Sequence, residues 1–277
     1  MPAQILQTQN LNDKIQAKLR LLQREVGWFF YRGDVSLLDS LIVAIVGSRR
    51  PNPYAKTHTF QLARQIAELG AVVISGGAFG VDIEAHKGAG SRTILVSPSG
   101  LGRYYPTSHR KEIERIAHEG LVLSEYATDF LPQKWTFLER NETMIALSDC
   151  VIVPQADENS GSIYSAYFAH KIGKPLFVLS HRIGESLGTQ RLIETQKATP
   201  IVRIEGFLQW LCATFGAEYG LKSHAQSADN THDAFMELCR QSPLEVEVIE
   251  KFGTQRLTEE QLNGFIALRN GRVVVLE

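Results

Sequence analysis

The stretch LIVAIVGSRRPNPYAKTHTFQLARQIAELGAVVISGGAFGVD (41–82) decides the fold. It begins with an apolar, β-branched-rich run (41–47) and continues into a segment whose Phe60, Leu62, Ala63, Ile66, Ala67 and Leu69 recur at helical spacing. Gly70 closes that helix, and a second apolar run follows at 71–77. Two apolar strands joined by one amphipathic helix form a strand–helix–strand crossover, which places the strands side by side and parallel. The same rhythm continues outward through TILVSP (93–98), LVLSE (121–125), CVIVP (150–154) and PLFVLS (175–180). Helical patterns at 107–120, 134–148 and 161–173 separate these runs. Near-continuous apolar strands are those covered on both faces. The predicted fold is therefore α/β, an extended Rossmann-like, doubly wound and mostly parallel sheet over residues 41–218.

The flanks differ from this core. Residues 1–40 form a lead-in, with a helix at about 11–25 and the aromatic WFFYRGD (28–34) predicted to pack against the first strand. A polar stretch without periodicity, 219–231, serves as a linker. Residues 232–277 predict three short helices (232–241, 243–253, 258–271) and a strand after Asn270-Gly271, the outline of a small winged-helix-like module. Its candidate recognition helix, 258–269, starts with Glu259 and Glu260 and has only Arg269 as a basic residue, which favours protein contact or packing over phosphate.

The chain has 277 residues, with 29 Lys+Arg against 30 Asp+Glu, so a chain-wide cationic surface is excluded. Charge is uneven nevertheless. The 41–200 segment holds 17 basic and 15 acidic residues, whereas 223–277 holds five and nine. The three cysteines lie far apart without a CxxC pair, and the eight histidines show no HExxH spacing, so neither a disulfide framework nor a metal site is expected, and no cofactor is implied. The polar N-terminus and the lack of an apolar run near the roughly 20 residues that span a bilayer predict a cytoplasmic chain without membrane contact.

In a doubly wound sheet, ligands bind beyond the carboxyl ends of the strands. After the first strand comes Gly47-Ser48-Arg49-Arg50, after the second Ser75-Gly76-Gly77-Ala78, and after the fifth the loop ending in Ser160-Gly161-Ser162. Together the three describe an anion-binding crevice. Each alone is ambiguous: GGAFG lacks the GxGxxG spacing of a dinucleotide site, and no GxxxxGK[ST] is present. Further along, Lys134, Phe137, Arg140 and Asn141 fall close to one helix face, where they could neutralise phosphates and stack a base. The same spacing equally suits a core aromatic with a solvated charged rim. With Arg49, Arg50, Lys134 and Arg140 at the lip, the expected contact count is roughly two to four phosphates.

The series VAIVGSRRPNPY (43–54), SGGAFGVDIEAH (75–86), YPTSHRKEIERIAHEGLVLSEY (105–126), FLERNETMIALSD (137–149) and NSGSIYSAYFAHKIGKPLFV (159–178) resembles the DprA/Smf family of DNA-processing proteins over roughly residues 28–200. The resemblance implies a single-stranded DNA-binding protein, not an enzyme. Its expected role is to protect DNA taken up in natural transformation, to assist loading of the RecA recombinase and to form a homodimer through the Rossmann-like domain, with duplex DNA bound more weakly. The family's motifs fall on Gly47-Ser48-Arg49, Ser75–Ala78, Phe137 with Arg140 and Asn141, and Ser160–Ser162, and its basic residue before the aromatic falls on Lys134. Arg49 and Lys134 are then the phosphate contacts, and Phe137 the stacking or pocket-shaping aromatic. Two departures stand out, Glu142 where many members are basic and Gln190 where asparagine is common.

Two other classes compete. Related folds include nucleotide-binding phosphoribohydrolases, but their PGG loop is missing, and Asp82 and Glu125 are the only carboxylates with a claim to acid–base work. A pure interaction protein would use the tail and ignore single strands.

Overall fold

In the computed structural model the six apolar runs are all strands: β3 (Ile42–Ile45), β4 (Val72–Ser75), β5 (Thr93–Ser97), β6 (Leu121–Ser124), β7 (Cys150–Val153) and β8 (Leu176–Leu179). The structure describes residues 3–221 and, beyond them, 238–239, 241, 244–252, 257, 266–269 and 271–275. Three further strands complete a nine-stranded sheet: β1 (Gln4–Gln7), β2 (Trp28–Gly33) and β9 (Thr199–Ile201). The order is β1-β2-β6-β5-β4-β3-β7-β8-β9. Every pairing from β6 to β9 is parallel, while β2 runs antiparallel to both β1 and β6. From β3 the chain winds outward through β4, β5 and β6, then returns to place β7 on the other side of β3. The switch point of the double winding is therefore the β3/β7 gap.

Strand alternation distributes the core. Ile42 and Ala44 point into one layer, built with α1 (Asp13–Leu19), α5 (Lys134–Leu147), α6 (Gly161–Lys171) and α7 (Leu187–Glu194). Val43 and Ile45 point into the other, against α2 (Pro53–Glu68), α3 (Val81–Ala89) and α8 (Ile204–Tyr219). A smaller cluster joins Ile113 and Ile116 of α4 (Arg110–Glu119) to Leu95 and Val122. Each fully buried Ile or Val is worth roughly 1.5–3 kcal/mol, and strands β3 to β8 are buried along their whole length. A polar clamp adds to this. Asp149, just before β7, accepts from the Ile42 N–H (2.9 Å) and the Tyr219 hydroxyl (3.0 Å) and pairs with Lys18 at 2.8 Å. Burial pushes the Lys18 ammonium pKa down, with Asp149 opposing the shift.

Several expectations are corrected. WFFYRG does not pack on the first strand: it is β2, an edge-side strand hydrogen-bonded to β6, so the lead-in belongs to the sheet. Phe60 is exposed, because the buried stripe of α2 runs through Ala55, Thr59, Leu62, Ala63 and Ile66. The first residue of the supposed linker, Tyr219, ends α8, and Gly220 adopts the left-handed conformation that stops it.

Residues 223–277 form a separate unit with its own small core of Cys239, Val248, Leu257, Ile266 and Val273. Helix α9 (Glu245–Phe252) agrees with the second expected helix. The third does not extend as expected: Ile266–Arg269 is strand β10, paired antiparallel with β11 (Arg272–Val275). The physical reason is Asn270-Gly271, a two-residue hairpin signal between apolar runs, with Gly271 at φ 71°. Residues 258–265, the rest of the supposed recognition helix, lie outside the described residues, as does most of 232–241.

Candidate nucleic-acid interface

The three glycine- and hydroxyl-bearing loops meet at the β3/β7 switch point. Gly47, Ser48, Arg49 and Arg50 from the first, Ala78 from the second and Ser160, Gly161 and Ser162 from the third line one crevice of about 490 Å³. Phe137, Arg140 and Asn141 of α5 complete its lining.

Backbone hydrogen bonds fix the loops. The Ser48 N–H donates to the Gln155 carbonyl (2.8 Å), and the Asn52 N–H to the Gln155 side-chain oxygen (2.8 Å), so the loop after β3 is tied to the loop after β7. Ser48 Oγ accepts from the Arg50 N–H at 3.1 Å, a local turn that leaves Arg49 and Arg50 exposed. The Val81 N–H donates to the Ser48 carbonyl at 3.1 Å and joins the first loop to the second. Gly80 permits this approach: its φ is 79°, and a Cβ there would lie 2.4 Å from the Ser48 oxygen. On the third loop, Ser160 Oγ caps α6 by accepting from the Ile163 N–H, which leaves the positive end of that helix, with Gly161 and Ser162, facing the crevice.

Beneath the loops lies Asp82. Its carboxylate accepts from the Ala78 N–H at 3.3 Å, with the Gly47 and Gly76 N–H groups also directed at it and the Arg140 guanidinium nearby. Burial raises the Asp82 pKa, and Arg140 and the three amides oppose that rise. Arg140 is itself buried, and Nη1 donates to the Val96 carbonyl at 3.3 Å. Burial, then the neighbouring Arg49, lowers its pKa against the pull of Asp82. The placement of Arg140 at the solvent lip is thus corrected: it forms the floor of the crevice. Gly76 explains the SGGA motif here, since a Cβ would collide with the guanidinium, 1.6 Å from Nη1. Ser75 is also interior, its hydroxyl donating to the Ile45 carbonyl at 2.6 Å.

The Arg49 guanidinium lies over the Phe137 ring, 5.9 Å from its centre. Phe137 meets Tyr105 edge-on at 5.4 Å, and both line a small pocket of about 70 Å³ with Phe79, Pro98 and Pro106, which shares Arg49, Phe137 and Arg140 with the crevice. Phe79 and Tyr105 are half exposed, and Phe79 packs on His109, whose Nδ1 lies 2.9 Å from the Gly77 carbonyl. Both aromatics lie inside stretches that carry the family resemblance, yet the sequence reading assigned neither a role. Lys134 is exposed at the start of α5, one turn before Phe137, and lines neither cavity.

The remaining candidates are structural in their contacts. Glu125 accepts from Arg24 Nη2 (2.8 Å) and from the Thr143 hydroxyl, joining β6 to α5. Glu142 accepts from the Tyr164 hydroxyl, and Gln190 donates to the Arg182 carbonyl at 2.7 Å. Among the described residues no cluster of three His, Cys, Asp or Glu side chains could hold a metal, and no helix is long and apolar enough to cross a membrane.

Comparison with known proteins bears on the same residues. The DNA processing protein DprA of Bacillus subtilis is 36% identical over 154 residues, 54% of this chain and 52% of the relative. The DprA of Streptococcus pneumoniae is 34% identical over 170 residues, 60% of each. The alignments thus span about half the length of the curated relatives. Among solved structures, DNA processing protein A of Helicobacter pylori, described for its single-stranded DNA binding mode, superposes with a TM-score of 0.72 at 47% identity, covering 76% of this chain and 97% of that one. The S. pneumoniae DprA structure gives 0.68 at 28% identity, covering 80% and 75%. The model of the DNA recombination-mediator protein A family matches residues 9–211, which hold strands β2 to β9 and the crevice, and the chain belongs to that family.

Proposed function

We propose that the chain binds single-stranded DNA in the crevice at the β3/β7 switch point, as part of processing DNA for transformation, with the RecA recombinase and a second copy of itself as partners. The arrangement that carries this reading is Arg49 over Phe137 beside the open end of α6. It provides a cation and helix amides for a phosphate next to an aromatic face for a base. A base reaches Phe137 only when splayed out of a stack, so duplex binds more weakly. The H. pylori relative, with its single-stranded DNA binding mode, supports the same substrate.

With Arg140 in the floor, the solvent-facing cations are Arg49, Arg50 and Lys134. Three contacts predict a slope of log K on log salt of about −2 for a single strand. The role is one of binding: Asp82 and Glu125 are both committed to hydrogen bonds that hold the fold. Fluorescence anisotropy with single-stranded and duplex oligonucleotides at two salt concentrations tests it. Tighter, salt-sensitive binding of the single strand is expected, and equal or absent binding overturns the reading.

A further inference from the structure

A side cavity of about 470 Å³ opens at the same edge of the sheet, beyond the end of β8. It lies between the start of α2, with Asn52 and Tyr54, and the segment carrying His181, Arg182 and Glu185. The end of β7 separates it from the crevice. Gln155 holds the crevice loop through Ser48 and Asn52, while the preceding carbonyl, Pro154, takes a hydrogen bond from His181 Nε2 at 2.7 Å. Arg50 of the crevice and Pro53 at the mouth of the side cavity are three residues apart, at most about 11 Å of chain. A strand leaving the crevice therefore meets the side cavity within one or two nucleotides.

The chemistry of the cavity is specific. A carbonyl only accepts, so in the neutral ring Nε2 carries the proton and Nδ1 is left as an acceptor. The His181 side chain has no solvent exposure, yet Nδ1 has no hydrogen-bond partner, and Glu185 Oε2 stands 3.8 Å away, too far to bond and itself an acceptor. Two acceptors so spaced ask for a group with two N–H bonds. Glu185, whose side chain is 43% exposed, can rotate to admit it. Tyr54 meets two rings edge to face, His58 at 4.4 Å and His181 at 5.4 Å, and the 41% of it that stays exposed is what a base can stack on; the exposed Arg182 supplies a cation for the adjoining phosphate.

We propose that the side cavity is a second nucleotide subsite, taking from the same strand a base with an exocyclic amino group (adenine, cytosine or guanine) in preference to thymine. This rests on the single-strand reading of the crevice. The base stacks on Tyr54, its amino group bridges His181 Nδ1 and the Glu185 carboxylate, and Arg182 neutralises the backbone.

Anisotropy titrations with oligodeoxycytidine and oligothymidine of about four and about twelve nucleotides test the proposal on the full chain. The wild type should bind the longer cytidine strand several-fold more tightly than the longer thymidine strand. Tyr54→Ala should weaken the longer cytidine strand about tenfold and leave the shorter strands unchanged, Arg182→Ala should weaken both longer strands, and Glu185→Ala should abolish the cytidine preference. These are surface positions, and unchanged melting of the variants separates lost binding from lost folding. A wild type that binds both lengths while all three variants match it within about twofold removes the subsite but not the crevice. A wild type that binds neither length overturns the single-strand reading and the subsite with it.

Discussion

Arg49 holds its guanidinium 5.9 Å from the centre of the Phe137 ring, so the crevice's principal cation and its aromatic face form one unit. Removing either should disturb the other. Arg49→Ala is expected to weaken single-strand binding and to reduce the salt slope by about 0.7, one phosphate contact. Phe137→Ala is expected to cost about 1–3 kcal/mol of affinity with a smaller change in salt slope. Titrations at two salt concentrations separate the two effects.

Arg140 behaves differently, because it faces Asp82 inside the protein. Arg140→Ala leaves a buried carboxylate without its cation and should lower stability by about 3–5 kcal/mol in denaturant unfolding. Gly76→Ala drives a methyl into the same guanidinium and should destabilise in the same direction. Arg49→Ala, at an exposed position, should leave the unfolding midpoint unchanged.

His86 sets an acid limit. It is buried on α3, with Nδ1 2.7 Å from the Thr93 hydroxyl, and desolvation, aided by Arg115 and Arg140, pushes its pKa down to about 3. Unfolded, it takes a proton near pH 6.5. Between pH 6.5 and 3 the unfolded chain therefore holds the extra proton, and the stability this site gives above pH 6.5 is lost as the pH falls, on the order of 1.4 kcal/mol per unit. Urea midpoints measured from pH 7 to 4 should show a shallower decline for His86→Gln than for the wild type.

Deleting 223–277 should leave single-strand affinity within about threefold. The segment carries nine acidic and five basic residues, and every cation assigned to the crevice lies in 1–222. A gel shift with the shortened chain checks this, and a tenfold loss would give the tail a direct part in binding.

The central strands were legible because burial on both faces forces unbroken β-branched runs, as in LIVAIV and CVIV. The edges were not. WFFYRG is aromatic and partly exposed, and its pairing with β6 is a long-range contact that no local pattern encodes. In the tail, Asn270-Gly271 carried the hairpin signal, but the helical spacing of the preceding residues masked it. At the site, the loops converged as their positions after β3, β4 and β7 implied, whereas Arg140 was misplaced. A charged residue near a motif looks solvent-facing in sequence, and only the fold brings Asp82 beneath it. Phe79 and Tyr105 were overlooked for the opposite reason, being ordinary aromatics until the fold opens a pocket between them.

The Asp82 carboxylate has a consequence for how the empty protein behaves. By gathering amides from the loops after both β3 and β4, it makes the crevice part of the same cooperative unit as the innermost strands. Such a site does not open by local fluctuation; it is lost only when the core is lost. Amides of Gly76 and Ala78 should exchange with solvent as slowly as those of β3 and β4 even without DNA. Arrival of a strand then needs no folding step, and association is limited by encounter rather than by assembly of the site.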